Sequence, residues 1–234
     1  MINLRERSNQ KELLDADDIP FEALAQNLRE LNKINTLLGG HAITVDAVKK
    51  LSGKSDQPVT ICEIGCGGGD NLFAIKKYCD RNNIAASFIG IDMNPECITF
   101  AKQQYPQMNC QWICSDYSKT DLTDQRPDII FSSLFCHHFS NEQLIQMMHW
   151  LQANTKKFFI NDLQRHWLAY FLIKYLTKFF SRSYLVKNDA CLSVARSFRK
   201  KDWTLLFNKA GIDNYKIKWR WAFRYLITYN NAQK

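Results

Sequence analysis

The stretch VTICEIGCGGGD, residues 59–70, joins a buried-strand pattern to a glycine-rich turn. Apolar and β-branched residues run up to the acid Glu63, and glycines follow at Gly65, Gly67 and Gly69. Glycine costs backbone entropy, so this much of it directly after a strand indicates positive φ angles or close approach of a ligand. We therefore expect residues 59–70 to end a central strand at a ligand-binding edge.

Strand and helix patterns alternate after residue 58. Such alternation predicts βαβ units and a parallel sheet with helices on both faces. Two terminal strands that turn around residues 219–222 predict an antiparallel hairpin at the sheet edge. The expected fold is thus α/β, with a seven-stranded, mostly parallel sheet. The strands are expected at 59–65, 86–93, 109–116, 127–135 and 156–162, and the helices between them at 70–82, 95–105 and 141–154.

Helical segments flank the predicted sheet. Apolar residues recur at three- and four-residue steps over residues 19–52, with a stop at Gly39 and Gly40, which predicts an N-terminal helical cap over residues 1–56. The remaining residues, 57–234, are expected to form the main domain. Residues 165–185 predict one strongly apolar helix, and a helical lid is expected at about 165–197.

Charge is distributed unevenly along the chain. Residues 1–155 hold 14 Lys and Arg against 19 Asp and Glu, a net of −5, whereas residues 156–234 hold 17 against 4, a net of +13. The basic part could meet nucleic acid, an anionic membrane surface or an acidic substrate, or it could be solvated surface. No apolar run reaches the ~18 residues of a membrane span and no secretory signal is evident, so we expect a cytoplasmic protein.

The eight cysteines form no CxxC pair, and most lie in apolar runs. We interpret them as reduced, buried thiols. No His, Cys, Asp or Glu cluster has the spacing of metal ligands along the chain, so a metal is not expected.

Polar residues follow the predicted strands, and the carboxyl ends of parallel strands meet at one edge. Asp92 could accept both ribose hydroxyls of a nucleoside there, with Met93 as an apolar wall for the base. Asp116 and Tyr117 could contact an adenine ring. Because acids near a pyrophosphate would be unfavourable, Glu63 favours a cofactor with an ammonium and a sulfonium group. The alternatives are a helix cap for Asp92, a surface turn for Asp116 and support of the glycine loop for Glu63.

The runs EIGCGGGD, GIDMNP, SDY and PDIIFSSLFCHHF resemble, in order and spacing, the motifs of class I S-adenosylmethionine-dependent methyltransferases. NLRELNKINTLLGG, NDLQRHWLAYFLIKYLTKFFSRS and SVARSFRKKDW are similar to a bacterial subgroup encoded beside type III polyketide synthases, itself similar to ubiquinone/menaquinone methyltransferases. The resemblance covers residues 19–226. It implies a Rossmann-like fold, S-adenosylmethionine as cofactor and S-adenosylhomocysteine as product. The implied cofactor-binding residues are Glu63, Gly65, Cys66, Gly67, Asp92, Met93, Asp116, Tyr117 and Ser133.

His137 and His138 are the sharpest catalytic candidates, because a histidine can remove a phenolic proton at neutral pH. Adjacent residues point in different directions, so one of the two could instead pack in the core and donate to a backbone carbonyl. Asn161 and Asp162 end the fifth strand and could orient an acceptor hydroxyl or cap a loop; Asp162 is taken as a catalytic candidate. Gln164 departs from the resemblance, which implies histidine at that position.

The apolar helix carries Trp167, Tyr170 and Phe171, which together with Phe139 are the expected substrate contacts. An aromatic lid, core packing and membrane-surface contact are the three interpretations of this helix. The expected reaction is O- or C-methylation of a small hydrophobic or aromatic acceptor, a phenolic polyketide or a quinol. The alternative is an RNA or protein methyltransferase, although no RNA-binding module is recognisable and a nucleic-acid partner is not expected. A monomer or a homodimer is expected.

Overall fold

A computed structural model describes residues 3–16, 18–53 and 57–231 of the chain. Its strands form one seven-stranded sheet. They are β1 (Val59–Ile64), β2 (Ala86–Asp92), β3 (Cys110–Cys114), β4 (Ile129–Ser133), β5 (Lys157–Leu163), β6 (Tyr215–Arg220) and β7 (Arg224–Asn230).

The strand order is β3-β2-β1-β4-β5-β7-β6. The first five strands pair in parallel, while β7 pairs antiparallel with both β5 and β6. The expected mostly parallel sheet with an antiparallel terminal hairpin is therefore confirmed. Strand order reverses beside β1, so the carboxyl ends of β1 and β4 flank the crevice where ligands of such sheets bind.

The helices follow the sequence pattern with one exception. Residues 165–185 were expected to form one helix, and the chain forms two helices with a break between them. The break occurs because the Ser183 side chain accepts a hydrogen bond from the Val186 N–H group and thereby caps a new helix. The helices are α1 (Phe21–Leu37), α2 (Gly40–Ser52), α3 (Asp70–Arg81), α4 (Pro95–Gln104), α5 (Asn141–Asn154), α6 (Trp167–Phe180), α7 (Tyr184–Arg196) and α8 (Lys200–Lys209).

The core consists of two apolar layers, one on each face of the sheet. Helices α5 and α8 cover one face, with Trp203 and Phe207 fully buried. Helices α2, α3 and α4 cover the other face, with Leu72 and Ile75 fully buried. Each such side chain contributes about 1.5–3 kcal/mol by leaving water, so the two layers hold the sheet rigid beneath the crevice.

The two helical regions outside the sheet meet each other. Helix α1 packs against α7. The carboxylate of Glu30 on α1 accepts hydrogen bonds from the Ser181 hydroxyl and, at 3.0 Å each, from the backbone N–H groups of Arg182 and Ser183. The predicted boundary between cap and main domain lies at residues 54–56, outside the described residues.

Candidate active site

The glycine turn lies between β1 and α3. Gly65, Gly67 and Gly69 have φ angles of 65°, 50° and 77°, so the predicted need for positive φ is confirmed. The Gly67 N–H group donates to the Asp92 carboxylate at 2.8 Å, and the Cys66 N–H group donates to the Ile91 carbonyl at 3.0 Å. The turn is therefore fastened to the end of β2.

Aromatic and apolar side chains cover this turn closely. A Cβ atom on Gly65 would lie 2.2 Å from the Phe135 ring, and one on Gly69 would lie 2.4 Å from the Trp112 ring. Leu28 of α1 would lie 3.7 Å from a Cβ on Gly67. The glycines thus permit close packing as well as unusual φ angles, and α1 closes over the turn.

Glu63 lies beneath the turn with 1 % of its surface exposed. Its Oε1 atom accepts a hydrogen bond from the Asn71 amide at 3.1 Å, while Oε2 finds no partner of normal geometry among the described residues. Burial, together with the nearby carboxylates of Asp70 and Asp92, holds the pKa of Glu63 well above its usual range. An accumulation of carboxylates with an unpartnered oxygen fits a cationic ligand group.

A buried chain of hydrogen bonds continues from Glu63 across the sheet. The Thr44 hydroxyl donates to the Asn71 side chain at 3.1 Å, and the Asn161 amide donates to Thr44 at 3.3 Å and to Ser133 at 3.5 Å. Asn161 therefore ties β5 to α2 and β4. Neither Asn161 nor Asp162 caps the following helix, because His166 accepts from the Leu168 N–H group and caps α6.

Asp92 lies at the end of β2, where its second oxygen accepts from the Asn94 N–H group at 2.9 Å. Asn94 caps α4, so the helix-cap interpretation of Asp92 is wrong. Burial raises the pKa of Asp92, and the hydrogen bonds from the Asn94 and Gly67 N–H groups partly offset this rise. Met93 is exposed.

Asp116 caps a short 3-10 helix, Tyr117–Lys119, by accepting at 2.9 Å from the Ser118 N–H and hydroxyl groups. Tyr117 packs edge-to-face against Phe135 and Phe139, with ring centroids 6.2 Å apart in each case. These contacts place Phe139, an expected substrate contact, in an aromatic cluster beside the glycine turn.

Leu134 turns the chain sharply after β4. Its φ angle of 54° is left-handed, a conformation that costs a branched residue about 1–2 kcal/mol. Such strained positions cluster at functional sites. The turn leads directly into the short helix Cys136–His138, which brings both histidines to the carboxyl edge of the sheet.

His137 is buried and pairs with Asp162, with 2.8 Å between Nδ1 and Oδ1. Burial alone would raise the pKa of Asp162, but the charge and hydrogen bond of His137 hold it below its usual value. Because an ionised carboxylate only accepts, we infer that Nδ1 donates to Asp162, which leaves Nε2 as the ring nitrogen that faces other partners. Asp162 thus orients the His137 ring, and among the described residues neither histidine of the pair donates to a backbone carbonyl, as the alternative had expected.

Two acids of the N-terminal segment complete this site, and sequence reasoning missed both. Asp15 Oδ1 lies 2.8 Å from His138 Nδ1. The Glu12 carboxylate lies between the two rings, 3.6 Å from His137 Nε2 and 3.9 Å from His138 Nε2. Burial raises the pKa of Glu12 to about 7. No sequence signal points to these acids, since only the folded chain brings them near the histidines.

Arg196 on α7 fastens the N-terminal segment to the histidine loop. Its guanidinium donates to the His137 carbonyl at 3.1 Å, the His138 carbonyl at 2.9 Å and the Asp15 carboxylate at 3.0 Å. Arg7 donates to the Phe139 carbonyl at 2.8 Å from the same segment. A cavity of about 740 Å³ opens on His137, His138 and Phe139; its other walls include Arg5, Lys11, Arg165, Lys201 and Lys209.

Sequence reasoning also missed Arg224, which is 2 % exposed at the start of β7. Its Nη2 atom donates to the Asn35 side chain at 2.9 Å, whereas Nε and Nη1 have no partner among the described residues. Burial lowers its pKa to about 10. A buried guanidinium with free N–H groups suits a carboxylate ligand.

The aromatic residues of α6 are largely exposed. Trp167 is 60 % and Phe171 46 % exposed, and Tyr170 packs edge-to-face on Phe171. The core-packing interpretation is therefore wrong for this face, and the lid and membrane-contact interpretations remain. Within the described ranges, no helix combines the length and apolarity needed to cross a membrane.

Gln164, the position that departs from the resemblance, accepts a hydrogen bond from the Trp219 indole at 2.9 Å and so has a structural partner.

Residues 61–157 match the family model described as "Methyltransferase domain". The matched segment contains the glycine turn, Asp92, Asp116 and both histidines, but not Glu12 or Asp162. No curated protein matches the sequence.

Solved structures share the fold. The plantazolicin methyltransferase BpumL, crystallised with a monoazolic desmethylPZN analog and SAH, is 17 % identical with a TM-score of 0.65 over 90 % of this chain and 95 % of that one. A putative S-adenosyl-L-methionine-dependent methyltransferase from Methanococcus maripaludis is 16 % identical with a TM-score of 0.63 over 94 % and 98 %. The magnesium protoporphyrin IX methyltransferase from Synechocystis PCC 6803 is 12 % identical with a TM-score of 0.54 over 84 % and 82 %. The Rossmann-like methyltransferase fold is thereby confirmed.

Proposed function

We propose that this chain, whose residues 61–157 form a methyltransferase domain, methylates a small hydrophobic or aromatic acceptor, such as a phenolic polyketide or a quinol, on oxygen or carbon. The chain is an enzyme of the methyltransferase class, with S-adenosylmethionine as its cofactor. The observation that carries the proposal is the His137–Asp162 pair, which lies on the strand edge beside the glycine turn.

The residues present fit the cofactor. The unpartnered Glu63 oxygen and the surrounding acids suit its ammonium and sulfonium charges, and the free N–H groups of Arg224 suit its carboxylate. Asp92, at the tip of β2, would accept from the ribose hydroxyls. When bound, the cofactor supplies an electrophilic methyl group.

His137 and its partner would act on the acceptor. Asp162 holds the ring so that Nε2 presents its lone pair, and a phenolic oxygen that still carries its proton would transfer that proton to Nε2. Such base catalysis contributes roughly 10²–10⁴-fold. Orientation of the acceptor in a closed, dry site contributes on the order of 7–11 kcal/mol to lowering the barrier.

The exposed aromatic face of α6 supports a flat, hydrophobic acceptor. Trp167 and Phe171 would bury their apolar surface against such an acceptor on covering it. The molecules named for two of the structurally similar enzymes also support a small natural product as the acceptor. The plantazolicin enzyme was crystallised with an azole analog, and the Synechocystis enzyme acts on magnesium protoporphyrin IX according to its name.

Two measurements test this function. Calorimetric titration with S-adenosylhomocysteine should give micromolar affinity that falls at least 10-fold in Asp92→Ala, with exposed Asp121→Ala as the matched control. With phenols and quinols as acceptors, Asp162→Asn should lower kcat about 100-fold or more and leave the affinity for S-adenosylhomocysteine unchanged. Failure to turn over any phenol or quinol, despite cofactor binding, would contradict the acceptor class.

An RNA or protein acceptor is the second candidate. The cationic walls of the cavity at His137 and His138, several of them from the basic C-terminal third, favour an anionic partner. Affinity for RNA should then fall steeply with salt, with one counterion released for each phosphate contact. Salt-independent binding would exclude RNA.

A further inference from the structure

We propose that Glu12, His137 and His138 bind one divalent transition-metal ion of the zinc or ferrous class. One ligand atom from each side chain lies within 4.8 Å of the other two. Glu12 Oε1 is 3.6 Å from His137 Nε2, and Glu12 Oε2 is 3.9 Å from His138 Nε2. Ligand atoms of a tetrahedral zinc site with bonds of ~2.0–2.2 Å lie about 3.4 Å apart, so the three side chains would have to move closer together to bind an ion.

The strongest support for the metal site comes from the two carboxylates that bind the Nδ1 atoms of the histidines. His137 Nδ1 lies 2.8 Å from the Asp162 carboxylate, and His138 Nδ1 lies 2.8 Å from the Asp15 carboxylate. Both rings therefore direct Nε2 toward the same carboxylate, that of Glu12. A metal-ligating histidine almost always donates its other ring N–H group to such a partner, which fixes the tautomer and orients the lone pair.

The Glu12 carboxylate is also held in place. The Ser193 hydroxyl donates to its Oε1 atom at 2.9 Å, and Arg196 Nε lies 3.9 Å from the same oxygen. The side chains of Glu12 and His137 are each 3 % exposed, so an ion at this position would be shielded from bulk water. The cavity of about 740 Å³ that reaches both histidines offers an entry path.

The donor set selects the class of ion. Two imidazoles with one carboxylate suit Zn²⁺, Fe²⁺ and Co²⁺, whereas Mg²⁺ and Ca²⁺ prefer sites made of oxygen ligands. Three protein ligands leave a coordination position open, as in catalytic zinc sites. If the proposed function holds, an ion bound by Glu12 and the two Nε2 atoms would lower the pKa of an acceptor hydroxyl at the open position, and the proton would then pass to solvent through the cavity instead of to His137.

The test uses the full chain, stripped with a chelator and titrated with Co²⁺, whose visible absorption reports its ligands. We expect one equivalent to bind with micromolar or tighter affinity. Glu12→Gln and His138→Gln should each weaken binding at least 10-fold, and Asp15→Asn should weaken it 10–100-fold. Exposed Glu6→Gln, in the same N-terminal segment, is the matched control and should bind as the wild type does.

Two results would overturn the site. One is a folded wild-type chain that takes up less than about a tenth of an equivalent of Co²⁺. The other is binding that is equally tight in Glu12→Gln and His138→Gln, since the ion would then lie elsewhere. If Glu12→Gln fails to fold, His138→Gln and Asp15→Asn decide the question. Because these measurements need no methyl transfer, a wrong acceptor class leaves their outcome unaffected.

Discussion

At the glycine turn, the residues that define the site are near one another in sequence, and backbone groups make many of the contacts. Asp92 reaches the Gly67 N–H group across 25 positions, and the φ angles of three glycines shape the turn. Around the histidines, side chains make the contacts and the sequence distances are far greater. Arg196 reaches Asp15 across 181 positions, and Asp15 reaches His138 across 123. Local backbone geometry therefore defines the glycine turn, whereas the histidine site depends on tertiary packing of three separate segments.

The largest expected loss of stability concerns the network around the histidines. Arg196→Met should lower the free energy of unfolding by about 3–5 kcal/mol, because it leaves the Asp15 carboxylate and two loop carbonyls without their buried donor. Urea unfolding followed by circular dichroism measures this loss. The control is Arg182→Met, whose side chain is exposed. Equal losses in the two variants would show that the network does not stabilise the fold.

The next effect tests the glycine turn. Gly65 and Gly211 have φ angles of 65° and 68°, but a Cβ on Gly65 meets the Phe135 ring whereas one on Gly211 meets nothing within 4 Å. Gly211→Ala should therefore cost about 1–2 kcal/mol of left-handed strain. Gly65→Ala should cost ~1–3 kcal/mol more through overpacking, and it should also abolish S-adenosylhomocysteine binding. Equal unfolding energies would mean that Phe135 moves aside without cost.

A smaller change in the free energy of unfolding, in the stabilising direction, is expected on substitution of Glu63. Burial disfavours the ionised form of Glu63, so Glu63→Gln should raise the free energy of unfolding at pH 7 while weakening cofactor binding. Because the folded pKa lies above the unfolded one, the stability of the wild type should rise as pH falls toward 4.5, and this contribution should be missing in Glu63→Gln. Unfolding titrations at several pH values measure it. A destabilised variant with unchanged cofactor affinity would assign Glu63 to support of the loop.

The smallest effect on stability is expected at α6. The double variant Trp167→Ala and Phe171→Ala should change the free energy of unfolding by less than ~0.5 kcal/mol per residue, since both side chains are exposed. If α6 is a lid, KM for phenolic acceptors should rise about 10-fold. Leu37→Ala, at an exposed apolar residue of α1 that does not line the cavity at the histidines, is the control. An unchanged KM with weaker sedimentation on anionic vesicles would favour membrane contact over the lid.

The same comparison explains what the sequence could predict. Strand periodicity and glycine spacing are local signals, so the sheet, the turn and the position of Asp92 could all be predicted from the residues. The break between α6 and α7 was missed because apolar periodicity outweighed the capping signal of Ser183. Glu12, Arg196 and Arg224 were missed because the partners that give them a role are brought near only by folding.

The three-segment construction around the histidines has a consequence for divergence and engineering. A single-loop exchange intended to change the acceptor would separate Glu12, His137 or Arg196 from partners that the exchanged loop does not carry. We expect these positions to covary among relatives, and recombination points that preserve activity to avoid falling between them. Chimeras that exchange the N-terminal segment, the histidine loop and α7 together should keep activity, whereas chimeras that exchange only one of these segments should lose it.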